Sequence, residues 1–162
     1  HHAEPVKGRQ VAHALANGAV LIDDSYNANP GSVAAAIAAL ADAQKRGAGM
    51  AWLVLGDMAE LGEGAAQLHA DIGQLARSAG ITRLWTCGRL SAAASAAFAD
   101  GAEHFSSQEA LIVALRAAIA PGVRCLVKGS RSSAMDKVVA ALLVADADDK
   151  AEAGNRGEGH AA

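Results

Sequence analysis

The chain has 162 residues and a mass of 16.3 kDa, the size of one domain, and its 52% hydrophobic content excludes a fully disordered chain. A formal charge of −3 and a pI near 6.0 argue against nucleic-acid binding, and the lack of a long apolar run argues against a membrane span. Residues 1–8, beginning His1-His2, do not resemble a signal peptide and are interpreted as a tag remnant or linker. Cys87 and Cys125 are too few for a disulfide or metal framework, so a reduced, cytoplasmic setting is expected.

The chain begins with the pattern of a β-hairpin followed by a helix. The hairpin is predicted over residues 10–24, because Asn17-Gly18 suits a two-residue type I′ turn. Asn29 can cap the helix, and Pro30 suits its first position, where no N–H is needed.

Strands and helices then alternate along the chain. The expected strands are 51–55, 83–87, 103–105 and 123–127, and the expected helices are 68–80, 91–99, 107–119 and 135–142. Such alternation predicts right-handed crossovers and a Rossmann-like, three-layer α/β domain. Its sheet should have about six strands, mostly parallel, with one antiparallel hairpin strand. The domain is expected to span residues 9–145, followed by a mobile polar tail over residues 146–162.

Polar residues are concentrated in four segments that directly follow strands. These segments are Asp23–Pro30, Gly56–Gly62, Cys87–Arg89 and Lys128–Ser133. Parallel strands bring their carboxyl ends to one edge of the sheet, where open α/β folds bind their ligands. Turn propensity explains any one of the segments, but four of them together predict a ligand site.

The first and last of these segments predict different ligand groups. A strand-end carboxylate can accept ribose hydroxyls, and only one of the adjacent Asp23 and Asp24 can face the site. Asn29 is equally well explained as a helix cap or as a ligand contact. Lys128 and Arg131, with nearby serines at a helix start, suit a carboxylate or a phosphate.

Other sequence features narrow the chemistry. His69 follows an apolar helix position and is interpreted as a core or hydrogen-bonding histidine, and His104 lies in a short strand. No His, Cys and Asp set has metal-ligand spacing. Neither a GxxxxGK[ST] motif nor a GxGxxG motif after a strand occurs, so a loop that grips a triphosphate must lie elsewhere.

Three of the four polar segments, together with a motif near the start of the chain, resemble the carboxyl-terminal domain of Mur ligases of the MurF type, the UDP-N-acetylmuramoyl-tripeptide–D-alanyl-D-alanine ligases. The resemblance covers residues 5–143 and rests on Pro5–Arg9, Asp23–Pro30 (DDSYNANP), Gly56–Gly62 (GDMAELG) and Lys128–Met135. It implies that residues 9–145 form the domain that closes over the nucleotide and brings the incoming amino component.

The resemblance also implies two groups of site residues. Nucleotide-binding residues would be Arg9, Asp24, Ser25, Tyr26 and Asn27, with the Asp24 carboxylate on the ribose hydroxyls. Substrate-binding residues would be Asn29, Asp57, Lys128, Ser130, Arg131 and Ser133. Within the second group, Asp57 would stiffen the pocket and Lys128 would help to recognise the carboxylate of the amino component. No catalytic residue and no metal ligand is assigned to this segment.

The reaction that the resemblance implies is ATP-dependent amide formation in peptidoglycan precursor synthesis. The tripeptide carboxylate would become an acyl phosphate, and the amine of D-alanyl-D-alanine would attack it. Mg²⁺ would be held mainly by the central domain of the same chain, which together with the amino-terminal domain would be the partner of this segment. Because the central domain supplies the P-loop, the segment alone is expected to be inactive.

Two other interpretations are open from the sequence. A receiver domain with Asp57 as phosphoacceptor would also combine strand-end aspartates with a late lysine. A receiver acceptor follows the third parallel strand, however, whereas Asp57 follows the second. A non-catalytic binding module is the other alternative.

Overall fold

A six-stranded sheet between two layers of helices organises residues 8–159, the part of the chain that the computed structural model describes. The strands are β1 (Val11–Ala14), β2 (Val20–Asp24), β3 (Met50–Gly56), β4 (Arg83–Cys87), β5 (Ala102–Phe105) and β6 (Val123–Lys128). The helices are α1 (Pro30–Lys45), α2 (Ala65–Ala79), α3 (Ala92–Phe98), α4 (Gln108–Ala118) and α5 (Asp136–Gly159), and a 3₁₀ turn spans Arg131–Ser133.

The strand order is β1-β2-β6-β3-β4-β5, so the last strand in sequence lies in the middle of the sheet. β1 is antiparallel to β2, and the other neighbouring pairs are parallel. This architecture confirms the predicted three-layer α/β fold and its antiparallel hairpin strand.

Each face of the sheet buries its own apolar cluster. α1, α2 and α3 cover one face, where Leu53 and Leu55 of β3 are fully buried. α4 and α5 cover the other face, where Trp52 of the same strand packs against Trp85 of β4, with ring centroids 5.3 Å apart. Because β3 is buried on both faces, it is a continuous apolar run, as strands of parallel sheets usually are.

The hairpin turn differs from the predicted two-residue type I′ geometry. The Leu15 N–H donates to the Ala19 carbonyl (2.8 Å), so three residues form the loop. Gly18 has a φ of 91°, but Asn17 is not in the left-handed region that a type I′ turn requires. Asn17 instead uses its side chain: Oδ1 accepts from the Ala19 N–H, and Nδ2 donates to the Ile119 carbonyl at the end of α4.

α5 extends well beyond the last helix expected from the sequence. As far as residue 159, the predicted polar tail is the second half of α5. Its polar side chains contact the rest of the domain: Asp146 accepts from the Ala16 N–H (2.8 Å), and Lys150 donates to the Ala14 carbonyl (3.2 Å). These bonds, together with an Asp146–Lys150 ion pair of 3.1 Å and the helix-favouring Ala147 between the two residues, favour the helix without apolar burial.

The predicted tag remnant or linker lies outside the described residues except for Gly8, and the division of the chain into residues 1–8, 9–145 and 146–162 stays a prediction. Within residues 8–159, no helix is long and apolar enough to cross a membrane.

Candidate functional site

The topology creates crevices at the carboxyl edge of the sheet, and two of them lie beside β6. The register aligns Asp24 with Lys128 and Gly56 with Cys87, so the segments after β2, β3, β4 and β6 lie side by side. β6 lies between β2 and β3, yet α5 packs on the opposite face of the sheet from α1 and α2. Ligand crevices form where the chain continues from two neighbouring strands to helices on opposite faces of the sheet. This holds for β6 and both of its neighbours, so β6 has one crevice on each side.

The first crevice, which we name the β2–β6 pocket, contains a buried ion pair. Lys128 Nζ lies 3.0 Å from Asp24 Oδ2 and donates a second hydrogen bond to the Asn27 carbonyl (3.1 Å). Asp24 Oδ1 receives no hydrogen bond from the described residues, so that oxygen is free for a ligand. The pocket has a volume of about 440 Å³ and is lined by Arg9, Gln10, Asp24, Tyr26, Asn27, Asn29, Ser32, Ala35 and Lys128.

The remaining residues of the β2–α1 loop fix its shape. Asp23 points away from the pocket, and its Oδ1 accepts from both the N–H and the hydroxyl of Ser25. Ser25 is buried and does not line the pocket, although the family resemblance implies a place for it beside the nucleotide. Asn29 has both of the predicted roles, helix cap and pocket residue. Its Oδ1 caps α1 by accepting from the Ser32 N–H (2.9 Å), and the residue lines the pocket.

Two arginines flank the ring of Tyr26 at the mouth of this pocket. Cζ of Arg9 lies 4.1 Å from the ring centroid, and Cζ of Arg131 lies 5.1 Å from it. The Tyr26 N–H donates to the Gly8 carbonyl (2.8 Å), which fastens the start of the domain to the β2–α1 loop. A Cβ on Gly8 would lie 2.9 Å from the Tyr26 nitrogen, so this approach requires glycine. Arg9 therefore contributes positive charge to the pocket that Asp24 also lines.

The second crevice, the β3–β6 pocket, is smaller and is built around Asp57. Its Oδ1 accepts from the Ser91 N–H (2.7 Å) and its Oδ2 from the Leu90 N–H (3.1 Å), so Asp57 holds the segment that leads into α3. A phosphoacceptor needs a free carboxylate oxygen, and these two bonds disfavour the receiver interpretation. The pocket volume is about 280 Å³, and the lining residues are Asp57, Cys87, Gly88, Ser106, Ser107, Gln108, Ser132, Ser133 and Met135.

The segment after β6 separates the two pockets. Ser130 is buried, and its Oγ accepts from the Ser133 N–H (3.2 Å), while the Ser133 hydroxyl donates back to the Ser130 carbonyl (2.7 Å). Gln108 of α4 donates to the carbonyls of Ser133 and Ala134, each at 3.0 Å. The sequence predicted no role for Gln108, because nothing local signals that it will meet a segment 25 residues later.

The structure therefore divides the predicted substrate-binding group. Asp57 and Ser133 lie in the β3–β6 pocket, whereas Asn29 and Lys128 lie in the β2–β6 pocket with the predicted nucleotide-binding residues. Arg131 contacts Tyr26 and so also lies on the β2–β6 side.

His69 and His104 make structural hydrogen bonds. His69 is fully buried in α2, where Nε2 accepts from the Met58 N–H (2.9 Å) and Nδ1 donates to the Ala65 carbonyl (2.7 Å). It thereby holds the Gly56–Gly62 loop against α2. His104 Nδ1 lies 2.7 Å from Thr86 Oγ1. Across the described residues, no three His, Cys, Asp or Glu side chains are grouped to bind a metal ion.

We predict slow, alkaline-activated labelling of Cys87 and protection of Cys125. Partial burial, together with Asp57 and Glu109, raises the pKa of Cys87, and burial raises the pKa of Cys125 to about 12. Since the thiolate reacts, the rate at Cys87 should increase about tenfold per pH unit below its pKa. Labelling with a chromogenic disulfide, followed by mass spectrometry, measures both sites; denatured chain is the control. Equal rates at Cys125 in folded and denatured chain would contradict the assignment.

We also predict that Gly88→Ala disrupts the Asp57 contacts. A Cβ on Gly88, whose φ is 118°, would clash with Asp57 Oδ1 and lie 2.7 Å from Asp57 Cγ. The clash and the backbone strain together should lower the free energy of unfolding by about 2–4 kcal/mol, measured by urea denaturation. Gly47→Ala is the matched control, because Gly47 also has a positive φ (82°) but no neighbour within 4 Å. Equal losses in the two variants would show that the Asp57 contact is irrelevant.

Comparison with known proteins places this geometry in a family. A family model described as "Mur ligase, glutamate ligase domain" matches residues 8–131. The UDP-N-acetylmuramoyl-tripeptide–D-alanyl-D-alanine ligase of Escherichia coli (strain K12) is 46% identical over 139 residues, which cover 85% of this chain and 30% of that protein. The protein of the same name from Mycobacterium tuberculosis (strain H37Rv) is 36% identical, over 89% of this chain and 32% of its own.

Solved structures agree with the sequence relatives. MurF from Acinetobacter baumannii has a TM-score of 0.77 at 29% identity, over 86% of this chain and 31% of that chain. MurF from Thermotoga maritima, solved in complex with ADP, shares the fold with a TM-score of 0.73 at 22% identity, over the same shares. The present chain thus spans about three tenths of the length of its relatives. The chain belongs to the Mur ligase family, and the part of those ligases that it matches is the carboxyl-terminal domain of the MurF type.

Proposed function

We propose that this domain is the carboxyl-terminal part of an ATP-dependent ligase that joins D-alanyl-D-alanine to a UDP-N-acetylmuramoyl-tripeptide in peptidoglycan precursor synthesis. The observation that supports it best is the pair of pockets on either side of Lys128–Ser133, which suits two ligands that must react close together. The amino-terminal and central domains expected in the same chain, and a cytoplasmic location, are part of this proposal.

The β2–β6 pocket is our proposed site for ATP. Asp24 Oδ1 would accept a ribose hydroxyl, and Arg9 would face the phosphates, with Tyr26 and Asn27 lining the space beside them. A pocket in which Lys128 already pairs with Asp24 offers few acidic ligands to a cation. Mg²⁺ would therefore be held mainly by the central domain, where its charge would offset that of the phosphates.

The β3–β6 pocket is our proposed site for D-alanyl-D-alanine. The dipeptide carboxylate needs donors, and the Ser133 side chain and the neighbouring Ser132 supply hydroxyls there. Ser130 would act by shaping this turn, and Asp57 by holding the segment before α3. Arg131 and Asn29, on the side of the β2–β6 pocket, would face the acyl group of the tripeptide.

In the proposed reaction, the tripeptide carboxylate attacks the γ-phosphorus of ATP, which gives an acyl phosphate and ADP. The dipeptide amine then attacks the acyl carbon, and the tetrahedral intermediate expels phosphate. The residues of this domain contribute by holding the two ligands in register, since phosphoryl transfer depends chiefly on positioning and charge neutralisation.

Kinetics of the complete ligase that contains this domain test the proposal. Wild-type ligase should form product only with ATP, the tripeptide precursor and D-alanyl-D-alanine present together. Asp24→Ala should lower kcat/KM for ATP by about 10- to 100-fold, because this factor corresponds to the free energy that one charge-assisted hydrogen bond contributes. Asp42→Ala, which removes an exposed carboxylate on α1, is the control and should leave ATP use unchanged. An Asp24→Ala enzyme that is folded by circular dichroism and uses ATP normally would contradict the nucleotide assignment.

A further inference from the structure

We propose that Lys128 is a positioning residue of the nucleotide pocket, acting through Asp24, and that it does not bind the dipeptide carboxylate. The inference rests on the proposed function above, which gives the two pockets their ligands. It revises the role that the family resemblance implies, in which Lys128 belongs with the substrate-binding residues.

The hydrogen bonds of Lys128 leave little of its ammonium group for a ligand. Its Nζ lies 3.0 Å from Asp24 Oδ2 and 3.1 Å from the Asn27 carbonyl oxygen, so two of its three N–H donors are already engaged. The Lys128 side chain is 4% exposed and that of Asp24 is 9% exposed. A carboxylate ligand would have to displace Asp24 from an ammonium that solvent hardly reaches.

The course of the backbone after β6 places Lys128 on one side of its loop. Lys128 ends β6, and the chain turns at once, with Gly129 packed against Met135 and the Ser133 side chain. A Cβ on Gly129 would lie 2.7 Å from Met135 Cγ, so the turn has no free space. The Lys128 side chain leaves this turn on the β2–β6 side, whereas Ser133 lines the other pocket. Lys128 is therefore separated from the proposed dipeptide site by its own loop.

The consequence for Asp24 is a fixed carboxylate. With Oδ2 bound to Lys128, rotation of the carboxyl group is restricted and Oδ1 is presented to the pocket. The bond to Asn27 ties the segment that carries Tyr26 to the same ammonium. Removing Lys128 should therefore increase the mobility of both Asp24 and the Tyr26 segment, while the β3–β6 pocket keeps the hydrogen bonds that Gln108 donates and Asp57 accepts.

The test compares Lys128→Met, Lys128→Arg and Lys45→Met in the complete ligase. Lys128→Met removes the ammonium but keeps an unbranched side chain, Lys128→Arg keeps a cation, and Lys45→Met removes an exposed charge at the end of α1. We expect Lys128→Met to raise the KM for ATP about tenfold or more, with the KM for D-alanyl-D-alanine within twofold of wild type. Lys128→Arg should recover part of the loss, and Lys45→Met should match wild type. A residue that only supports the fold would not produce this selective change in one KM.

Other outcomes would overturn the inference. A raised KM for the dipeptide with an unchanged KM for ATP would return Lys128 to the substrate-binding group, and unchanged values for both would remove any role. Calorimetric titration of the complete protein with ADP gives an independent measurement, in which Lys128→Met should weaken binding by a similar factor. If wild-type protein binds ADP but ligates nothing, the proposed function fails, while the effect of Lys128→Met on ADP binding still decides the role of Lys128.

Discussion

Asp24→Ala will destabilise the domain more than Asp24→Ala and Lys128→Met introduced together. The single change leaves the buried Lys128 ammonium with only the Asn27 carbonyl as partner. An uncompensated buried charge costs about 3–5 kcal/mol, whereas replacing both members of a buried pair by apolar groups is often nearly neutral. Because the pair opens on a pocket, we expect about 3 kcal/mol for Asp24→Ala and about 1 kcal/mol for the double variant.

Urea denaturation of the four members of this double-mutant cycle measures the coupling directly. The exposed ion pair between Asp42 and Arg46 is the control, since its side chains are 67% and 69% exposed. Asp42→Ala should cost less than about 0.5 kcal/mol, as surface pairs on helices do. If the Asp24 and Lys128 effects simply add, the two side chains do not interact in solution, and the positioning role proposed for Lys128 loses its basis.

The fold could be predicted from the sequence because its signals are local. Asn29 and Pro30 marked the start of α1, and both act as expected: Asn29 shares a reciprocal capping box with Ser32, and Pro30 is the first residue of the helix. The apolar run from residue 51 to 55 indicated a strand buried on both faces, which β3 is. The predicted end of the last helix, near residue 142, was wrong, since α5 continues to Gly159. The i,i+4 pair of Asp146 and Lys150 is a local signal, but the bonds of these two side chains to the hairpin join residues at least 130 positions apart and cannot be read from a local pattern.

The candidate site was predictable in location but not in its internal grouping. Strand ends identified the edge of the sheet, and alternation indicated that one of Asp23 and Asp24 would face inward. Sequence proximity then grouped Lys128 with Ser133, whereas the parallel register of β2 and β6 pairs Lys128 with Asp24, 104 residues away. Which neighbour a strand-end side chain meets depends on strand order, and β6 reaches the middle of the sheet only through the return crossover of α4.

Gly73→Ala should weaken the packing of α2 against α3. A Cβ on Gly73 would clash with the Ala94 carbonyl oxygen and lie 2.8 Å from the Ala94 carbonyl carbon. This neighbour is backbone and cannot rotate away, so the two helices must separate. Overpacking of this kind costs about 1–3 kcal/mol or more and outweighs the roughly 1 kcal/mol that alanine gains over glycine inside a helix. We therefore expect a net loss of about 2 kcal/mol and a melting temperature lower by about 4–8 °C.

Gly154→Ala is the matched control, because Gly154 lies in α5 with no atom within 4 Å of the added Cβ. It should be neutral or stabilising by up to about 1 kcal/mol. The Gly73 change should also affect the loop after β3 at the carboxyl edge of the sheet. His69 lies one turn earlier on the same buried face of α2 and accepts a hydrogen bond from the Met58 N–H in that loop. Amide hydrogen exchange at Met58 should become faster in Gly73→Ala and stay unchanged in Gly154→Ala. Equal stability of the two variants would show that α2 and α3 can separate without loss of stability. Unchanged exchange at Met58 in a destabilised Gly73→Ala variant would show that the His69 hydrogen bond does not depend on the packing of α2 against α3.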